Sequence, residues 1–377
     1  VSLVNERVVL TQKGRLFWGC CPFHDEKTPS FKIDPDLQNW HCFGCGKSGD
    51  VFGYLMESEH LEFPEAVRAL ADRANIEITE VGGSGVPRSL KDRMMQACAE
   101  AEEFYHMELM RSRDAGPSQA RAYLHDRGFG SECARGWHLG YAPGHGKLVA
   151  HLQSRGFTRD EIVGANLAYV NKGGRLVDRF FERVMFPVHD LQGRSIAFGG
   201  RIMGAGEPKY LNTSDTPAFN KRYTVFAANL LRKARGLTRV ILVEGYMDVV
   251  ALSQFGVEGV AATLGTALTP EQARLLHRFA PEVYIAYDGD RAGQKAILRG
   301  LEVLEGENVP VRVLDFPGGL DPDEFIRQEG LEAFQALKPI SAVTYRMRRE
   351  KERHDVSTEE GRIEYAKACA AILRGVK

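Results

Sequence analysis

Short apolar runs alternate with segments of helical periodicity over residues 239–326, and this is the clearest pattern in the chain. The apolar runs predict strands, and the apolar positions between them recur at helical spacing. The predicted strands are 240–243, 259–263, 283–287 and 311–314, separated by helices at 246–255, 270–279 and 291–304. Successive strand-helix-strand units predict an α/β fold, a parallel sheet with helices on both faces.

The strands of this sheet are followed by carboxylates, namely Glu244, Asp288, Asp290, Asp321 and Asp323. Parallel strands end at one edge of their sheet, so these five acids are expected to converge there. A cluster of carboxylates needs a counter-ion, which predicts roughly one to three divalent cations, Mg²⁺ or Mn²⁺. Glu244 is interpreted either as a further ligand or as a proton shuttle. Capping of the following helix is the simpler role for either Asp288 or Asp290.

Residues 15–55 contain four of the seven cysteines of the chain. Their spacing, Cys21-x-x-His24 and Cys42-x-x-Cys45, is typical of a structural zinc site. Spacing alone leaves two alternative ligands open, Cys20 in place of Cys21 and the additional His41. The surrounding short aromatic strands and the helical pattern after them predict a small zinc ribbon with flanking helices that binds one structural Zn²⁺.

Aromatic and basic residues interleave within the predicted ribbon, at Phe31, Trp40 and Phe43 and at Lys27, Lys32 and Lys47. Aromatic faces beside cations suit the unstacked bases of single-stranded nucleic acid. The alternative is that these aromatic side chains fill a very small core. Gly46-Lys47-Ser48 is not interpreted as a phosphate-binding loop, because that motif would need glycine at position 41 and a strand before it.

Composition is that of an ordinary globular protein, with 44% hydrophobic and 26% charged residues. No long apolar run or signal pattern is present, which predicts a cytoplasmic protein with no membrane partner. The net charge of -1 conceals an asymmetry, because residues 121–240 contain 19 Lys and Arg against 9 Asp and Glu. Such a basic middle segment between acidic flanks favours a polyanionic partner, although a solvated basic surface is the simpler interpretation.

The basic middle segment is predicted to be α+β. Helical patterns at 91–113 and 118–127 precede short alternating segments in which basic and amide side chains fall at strand ends and turns. Individually, each basic side chain is more easily explained as a surface charge. As a set beside an acidic metal site they are candidate contacts for triphosphate and nucleic acid: Arg179, Arg183, Arg201, Lys209, Asn212, Lys221 and Arg222.

The patterns together predict a multidomain chain. The predicted parts are the zinc ribbon at 1–80, a flexible Gly/Ser-rich linker at 81–90, the basic subdomain at 91–236, the metal-binding sheet at 237–335 and a helical tail at 336–377.

Three motifs resemble the TOPRIM fold of DnaG-type primases, topoisomerases and some nucleases. They are Glu244-Gly245-Tyr246-Met247-Asp248, Asp288-Gly289-Asp290 and Asp321-Pro322-Asp323. Together with Cys21-Pro22-Phe23-His24, His41-Cys42-Phe43-Gly44-Cys45, Phe198-Gly199-Gly200-Arg201 and Pro208-Lys209-Tyr210-Leu211-Asn212, they resemble the bacterial DnaG-type DNA primases over nearly the whole chain.

The resemblance implies a DNA-directed RNA polymerase that makes short primers on single-stranded DNA for replication. It implies ribonucleoside triphosphates, a template strand and an RNA–DNA primer duplex as partners. It also implies the replicative helicase, bound through a C-terminal domain that, like a short N-terminal piece, is expected to be absent from this chain. Two alternatives remain: a TOPRIM nuclease or topoisomerase, and a zinc-ribbon DNA-binding protein with an inactive sheet.

Overall fold

The chain divides into two compact units, Val1–Gly83 and Ser84–Lys377. The computed structural model describes residues 1–59, 61, 63–74, 76, 88–204 and 206–374. Most of the predicted linker, residues 81–87, lies outside the described residues, and a helix begins at residue 88. Across the described part of the chain, no helix is both long enough and apolar enough to span a membrane.

The first unit is an antiparallel five-stranded sheet with short helices. Its elements are α1 (Ser2–Asn5), β1 (Thr11–Lys13), β2 (Leu16–Gly19), β3 (Phe31–Asp34), β4 (Asn39–Cys42), β5 (Ser48–Gly49), α2 (Val51–Glu59) and α3 (Phe63–Ala74). The strands lie in sequence order. One face of the sheet is buried, and the rings of Phe23, Phe31, Trp40 and Tyr54 pack together there with centroids 5.1–6.3 Å apart. These rings form much of a very small core.

The second unit begins with helices around an antiparallel sheet. The elements are α4 (Arg88–Arg111), α5 (Ala115–Asp126), α6 (Ser131–Gly136), β6 (Gly140–Ala142), α7 (Lys147–Ser154), α8 (Arg159–Gly164), β7 (Ala168–Val170), β8 (Leu176–Asp178), β9 (Arg183–His189), β10 (Ser195–Ile202), β11 (Tyr210–Asn212) and α9 (Ala228–Lys233). The main sheet has the order β11-β10-β9-β6, and β7 and β8 form a separate hairpin. The predicted α+β character of this segment is confirmed.

The α/β sheet follows. Its elements are β12 (Arg239–Val243), α10 (Tyr246–Gln254), β13 (Val260–Ala262), α11 (Pro270–Phe279), β14 (Glu282–Ile285), α12 (Arg291–Gly306), β15 (Val311–Val313), a 3-10 turn (Pro317–Gly319), α13 (Pro322–Ala336), β16 (Ile340–Ser341), α14 (Ala342–Arg353) and α15 (Glu359–Arg374). The order is β13-β12-β14-β15-β16, with the first four strands parallel and β16 antiparallel to β15. The predicted parallel sheet is confirmed, and the antiparallel edge strand is an addition to it.

Burial on both faces explains why the central strand is a continuous apolar run. Ile241 and Val243 of β12 pack into one apolar core, and Val240 and Leu242 pack into a second one on the opposite face. In register, Leu242 pairs with Ile285, which in turn pairs with Val313. The three strands therefore end close together, and the acids that follow them share one edge of the sheet.

Candidate metal sites and nucleotide-binding surface

Four side chains of the ribbon bring their ligand atoms within 4.8 Å of one another: Cys21, His24, Cys42 and Cys45. The sulfurs of Cys21 and Cys45 are 3.9 Å apart, and Nδ1 of His24 is 3.9 Å from the sulfur of Cys42. A tetrahedral zinc ion with Zn–S bonds of about 2.3 Å has ligand edges of about 3.8 Å, so this donor set fits zinc. No second group of this kind occurs among the residues that the structure describes. The exposed Cys20 and the histidine at position 41 lie outside the cluster.

Backbone amides support the two cysteine knuckles. The amides of Phe23 and Cys45 each donate to a sulfur at 3.4 Å, the first to Cys21 and the second to Cys42. Burial raises the pKa of Cys21 to about 12. Burial also acts to raise the pKa of Cys42, but its contact with the Ser30 hydroxyl at 3.2 Å and hydrogen bonds from backbone amides lower it to about 7. The thiolate of Cys42, which is the form that binds metal, is therefore stabilised by its own turn.

Glu26 orients the histidine of the cluster. Its Oε2 lies 3.3 Å from Nε2 of His24, while Nδ1 of the same ring faces Cys42. Glu26 also accepts hydrogen bonds from the amide of Cys21 at 2.6 Å and from the hydroxyl of Ser30 at 2.5 Å. A carboxylate that binds the far nitrogen of a ligand histidine fixes the orientation of the ring. A Cβ at position 44 would lie 2.6 Å from Nε2 of His24, so this turn requires Gly44.

The outer face of the ribbon sheet carries an aromatic and basic surface. Trp18 and Lys32 pair across β2 and β3, and Phe43, which is 62% exposed, stacks on Trp18 with ring centroids 6.0 Å apart. The ammonium groups of Lys32 and Lys13 lie 5.7 Å and 6.0 Å from the rings of Phe43 and Trp18. Single-stranded bases could stack on such a surface. We define Lys13, Trp18, Lys32 and Phe43 as the ribbon face.

The other predicted contacts of the ribbon differ in how accessible their side chains are. Phe31 and Trp40 are 0% and 4% exposed, so the core explanation holds for both of them. Lys47 forms an ion pair with Glu57 at 2.5 Å, and Lys27 is exposed. Trp18 was missed by the sequence reasoning, although the period-two alternation of β2 could have indicated that it points away from the core.

At the edge of the α/β sheet, partly buried carboxylates lie within electrostatic reach of one another, although within the described ranges no three of them form a ligand group like that of the ribbon. Oε1 of Glu244 is buried and has no hydrogen-bond partner among the described residues. A Cβ at position 293 would overlap the carbonyl of Asp288 and lie 2.9 Å from Oε1 of Glu244. Gly293 therefore allows the first turn of α12 to pack directly against the acids. A Cβ at Gly289 would lie 2.8 Å from Cα of Gly319. The absence of this Cβ allows the loop before α13 to approach the loop that carries Asp288.

Burial, together with repulsion between the acids, raises the pKa values of these carboxylates. Burial, followed by the charges of Asp288 and Asp290, raises the pKa of Glu244 to about 7. Burial, followed by the charges of Asp321 and Asp290, raises the pKa of Asp288 to about 6, and Lys209 opposes this shift. Ionisation of all these carboxylates together is unfavourable, and the buried Oε1 of Glu244 has no hydrogen-bond partner among the described residues. Both features fit a site for divalent cations.

The remaining predicted acids have additional roles. Asp290 and Asp321 cap helices, since their Oδ1 atoms accept hydrogen bonds from the amides of Gly293 at 2.7 Å and Glu324 at 2.6 Å. Helix capping, left open between Asp288 and Asp290, thus falls to Asp290. Each capping carboxylate keeps a second oxygen. Burial, with the nearby acids, also raises the pKa of Asp321.

Asp323 differs from the other acids because two arginines neutralise it. It is 1% exposed and accepts hydrogen bonds from Arg327 at 2.7 and 3.0 Å and from Arg127 at 3.1 Å. Both carboxylate oxygens are engaged, and the contact joins α13 to the end of α5. In this arrangement Asp323 has the least remaining capacity for a cation among the five acids.

Among the predicted basic contacts, Lys209 lies near the acidic edge, and three others are partly buried, namely Arg179, Arg201 and Lys221. Lys209 is exposed and lowers the pKa of Asp288, so its ammonium group lies within electrostatic reach of the acids. Arg201 lies over the ring of Tyr123, 4.3 Å from its centroid. Arg179 is partly buried, and its Nε has no hydrogen-bond partner within the described ranges. The side chain of Lys221 is also partly buried.

Three other candidate phosphate contacts have hydrogen-bond or ion-pair partners within the protein. Arg183 is 2% exposed, and its Nη1 donates to the carbonyls of Gly200 and Pro208, both at 3.0 Å. Arg222 pairs with Glu271 at 2.8 Å. The amide of Asn212 bonds to other parts of the same unit, as described below. Arg183 and Asn212 thus brace the strands that carry other candidates, whereas Arg222, with a 62% exposed side chain, forms a surface ion pair.

The sequence reasoning did not select Asp248 and Arg127. Burial and the charges of Asp288, Asp321 and Asp323 raise the pKa of Asp248 well above its usual value. A local signal existed for Asp248, because an acid three residues after the N-cap of a helix can accept the N-cap amide, as Asp248 does from Gly245 at 3.0 Å. Arg127 had no such signal, since its partner is 196 residues away.

Comparison with known proteins assigns each part of the chain. Family models match a CHC2 zinc finger at residues 1–84, the N-terminal domain of the DNA primase catalytic core at 104–232 and a Toprim-like domain at 241–326. The chain is 39% identical over 377 residues to a DNA primase of Clostridium acetobutylicum, covering 99% of this chain and 62% of that protein. It is 38% identical to the Escherichia coli DNA primase, covering 100% of this chain and 66% of that protein.

Solved structures agree with this assignment. The Aquifex aeolicus primase, comprising zinc-binding and RNA polymerase domains, is 31% identical with a TM-score of 0.63, over 97% of this chain and 87% of that one. The chain belongs to the bacterial DnaG-type DNA primase family. A DnaG primase catalytic domain bound to single-stranded DNA is 33% identical with a TM-score of 0.65, covering 77% of this chain and 95% of that one.

Two further points qualify the DnaG assignment. The chain spans less than two thirds of the length of the curated primases to which it was compared. A family model for the DnaB-helicase binding domain of primase matches residues 343–377, which comprise α14 and α15. The expectation that this domain is absent from the chain is therefore wrong for at least these residues.

Proposed function

We propose that the chain acts as a DNA primase, a DNA-directed RNA polymerase that makes short RNA primers on single-stranded template for replication. The observation that carries this proposal is the group of repelling carboxylates around Glu244 and Asp288 with the cationic Lys209 beside it, in a chain of the DnaG family. Nucleotidyl transfer needs cations that neutralise the phosphate oxygens and basic side chains that hold the phosphate groups. The acidic edge supplies carboxylate ligands for the cations, and Lys209 is a basic side chain beside them.

The acidic edge is proposed to bind Mg²⁺, with Mn²⁺ as a substitute and roughly one to three ions. Glu244, Asp288, Asp290 and Asp321 are the proposed ligands, and Asp323 would need to exchange an arginine contact to join them. When bound, such cations neutralise developing charge and acidify a coordinated hydroxyl.

The proposed reaction joins a primer 3′-hydroxyl to a ribonucleoside triphosphate. The hydroxyl oxygen attacks the α-phosphate, a new P–O bond forms, and the bond to pyrophosphate breaks. Lys209 and Arg201 would bind the phosphate oxygens, with Arg179 and Lys221 as further contacts. Glu244 would either complete the cation coordination or, where it stays outside it, accept the hydroxyl proton, for which its pKa of about 7 in the metal-free protein is well matched.

The ribbon is proposed to hold one structural Zn²⁺ through Cys21, His24, Cys42 and Cys45. Its ribbon face would contact the template, because stacked aromatic rings beside lysines suit single-stranded DNA. A related catalytic domain was solved with single-stranded DNA, and RNA polymerase domains of Mycobacterium tuberculosis DnaG were solved with double-stranded DNA. These structures support DNA as the partner, with the RNA–DNA primer duplex as the product.

The helicase is proposed as a protein partner of the tail. The match of residues 343–377 to a helicase-binding domain supports α14 and α15 as part of the contact. We further propose that function divides along the chain as template binding by residues 1–80, nucleotide and template contacts by 91–236, metal binding by 237–335 and helicase contact within 336–377.

The decisive experiment is template-directed synthesis. The protein is incubated with single-stranded DNA, four ribonucleotides and Mg²⁺, and complementary RNA is measured. Asp288→Ala should reduce synthesis by about 100-fold or more and leave DNA affinity nearly unchanged, because it removes a proposed metal ligand. The matched control Asp160→Ala removes an exposed carboxylate on α8 and should retain wild-type activity. Nicked DNA without new RNA from the wild-type protein would overturn the proposal in favour of a nuclease.

A further inference from the structure

A hydrogen-bonded bridge connects the basic strand β11 to the α/β sheet. The hydroxyl of Tyr246 donates to Oδ1 of Asn212 at 2.8 Å, and Nδ2 of Asn212 donates to the carbonyl of Leu264 at 2.8 Å. Tyr246 is the first residue of α10, and Leu264 follows β13. We call these three groups the bridge. The bridge joins the sheet that contains β11 to the α/β sheet, which were predicted from the sequence as separate subdomains.

Two glycines make room for the bridge. Gly199 of β10 pairs with Asn212, and a Cβ there would overlap the ring of Tyr246. A Cβ at Gly265 would lie 2.6 Å from Nδ2 of Asn212, and this glycine has a φ of 69°. Tyr246 is 3% exposed, and its ring stacks on Phe186 with centroids 5.3 Å apart. The bridge is therefore enclosed and held in one geometry.

The bridge lies between the two halves of the candidate active site. Asn212 is three residues after Lys209 on the basic side, and Tyr246 is two residues after Glu244 on the acidic side. Lys209 directly precedes β11 and Glu244 lies just before α10, so the spacing that the bridge sets between β11 and α10 determines how strongly base and acid interact. A change of this spacing would move phosphate contacts relative to cation ligands without altering either set.

We propose that Tyr246 and Asn212 are positioning residues that fix the distance between the phosphate-binding strand and the acidic edge. This inference rests on the proposed function, because it assigns the two residues to alignment within that reaction. It also revises the expected role of Asn212. With one acceptor and one donor of its amide committed inside the protein, Asn212 acts through the backbone of β11, which carries Lys209 to its place.

Tyr246→Phe removes only the hydroxyl of the bridge. Misalignment should lower kcat for RNA synthesis by roughly 10- to 100-fold. The KM for ribonucleotide and the Mg²⁺ concentration for half-maximal rate should change less than about threefold, since the contacting groups remain. Tyr105→Phe is the matched control, because Tyr105 is 1% exposed and its hydroxyl has no hydrogen-bond partner in the described part of the chain. It should keep wild-type kcat.

Asn212→Asp supplies a second variant, because it replaces the donor to Leu264 with an oxygen. Since the bridge acts as a unit, the double variant Tyr246→Phe/Asn212→Asp should lose little more activity than the worse single variant. Independent losses that multiply would contradict the proposal.

Hydrogen exchange of backbone amides tests the bridge without any need for activity. Tyr246→Phe should accelerate exchange within 209–213 and 263–265, and Tyr105→Phe should not. Unchanged exchange in these segments, or a kcat equal to that of Tyr105→Phe, would overturn the bridge. A wild-type protein that makes no RNA would instead refute the proposed function, and the exchange result would still decide whether the bridge constrains the two sides.

Discussion

The cysteine–histidine cluster of the ribbon and the acidic edge of the α/β sheet differ in how nearby groups act on the charges of their ligands. The cluster draws its ligands from residues 21–45. Burial disfavours the thiolate of Cys21, but hydrogen bonds from nearby groups stabilise the thiolate of Cys42 and orient His24. The acidic edge draws carboxylates from residues 244–321, and they repel one another. A closed set of satisfied ligands suits a structural ion, whereas an open set of repelling ligands suits ions that share their coordination with a substrate.

The difference is also energetic. A small unit with few core rings depends on its metal for folding, so metal binding there is folding free energy. At the acidic edge the raised pKa values mean that, without cations, the carboxylates destabilise the folded state. The two apolar cores on either face of the sheet offset that cost. The zinc site therefore stabilises the ribbon, whereas the α/β sheet is stable although its acidic edge destabilises it.

The largest expected effect is loss of the ribbon fold on Cys42→Ser. Removing one of the three thiolates among the four ligands opens the site, and zinc binding in comparable peptides contributes about 10–16 kcal/mol. We expect elemental analysis to fall from about one zinc per chain to nearly none, and near-ultraviolet circular dichroism from Trp18 and Trp40 to weaken.

Cys20→Ser is the matched control, because Cys20 is exposed and outside the cluster. It should retain its zinc and its spectrum. Zinc loss in this variant as well would mean that the adjacent cysteine takes part in coordination, and the closed four-ligand site would then be wrong.

A smaller effect is expected from Glu26→Gln. The variant keeps the size of the side chain but weakens the contact to Nε2 of His24, and it should lower zinc affinity by about 10- to 100-fold. Competition with a chromophoric chelator measures the change. Glu57→Gln, which alters only the exposed pair with Lys47, should bind zinc as the wild type does. Equal zinc affinities for both variants would show that zinc binding does not depend on the contact between Glu26 and His24, and support from nearby groups would then not distinguish the cluster from the acidic edge.

Sequence reasoning succeeded where a signal was local. The two-residue spacing of Cys21 and His24 is set by one turn, and the strand-helix alternation is set by periodicity within short segments. The convergence of the acids followed from the rule that parallel strands end at one edge, and Glu244 and Asp288 do approach each other. Each of these predictions needed only local residues and a general packing rule.

Contacts between distant residues were out of reach. Arg183 is a strand-end arginine in the sequence, and only its burial beneath the β10–β11 connection shows that its guanidinium is committed to backbone carbonyls. Asp323 fits the acid pattern as well as Asp321 does, yet Arg127, distant in sequence, neutralises it. Pairing of this kind depends on which helices pack together, and no spacing in the sequence encodes it.

The smallest effect concerns the stability of the metal-free protein. Asp288 has a folded-state pKa of about 6 against an ordinary value of 3.8, so between these pH values the folded state binds more protons than the unfolded state. The free energy of unfolding should therefore decrease as pH rises through this window and level off above it. In chelator at pH 8, Asp288→Asn should be more stable than the wild type by about 1 kcal/mol after allowance for partial exposure, or about 2 °C in Tm.

At pH 4 the difference in stability between Asp288→Asn and the wild type should vanish, and Mg²⁺ at pH 8 should stabilise the wild type more than the variant. Asp160→Asn, on an exposed turn, should show no such pH dependence. If Asp288→Asn were no more stable than the wild type in chelator at pH 8, neither burial nor the neighbouring acids would destabilise the ionised carboxylate of Asp288, and the acidic edge would not need a cation to offset its charge.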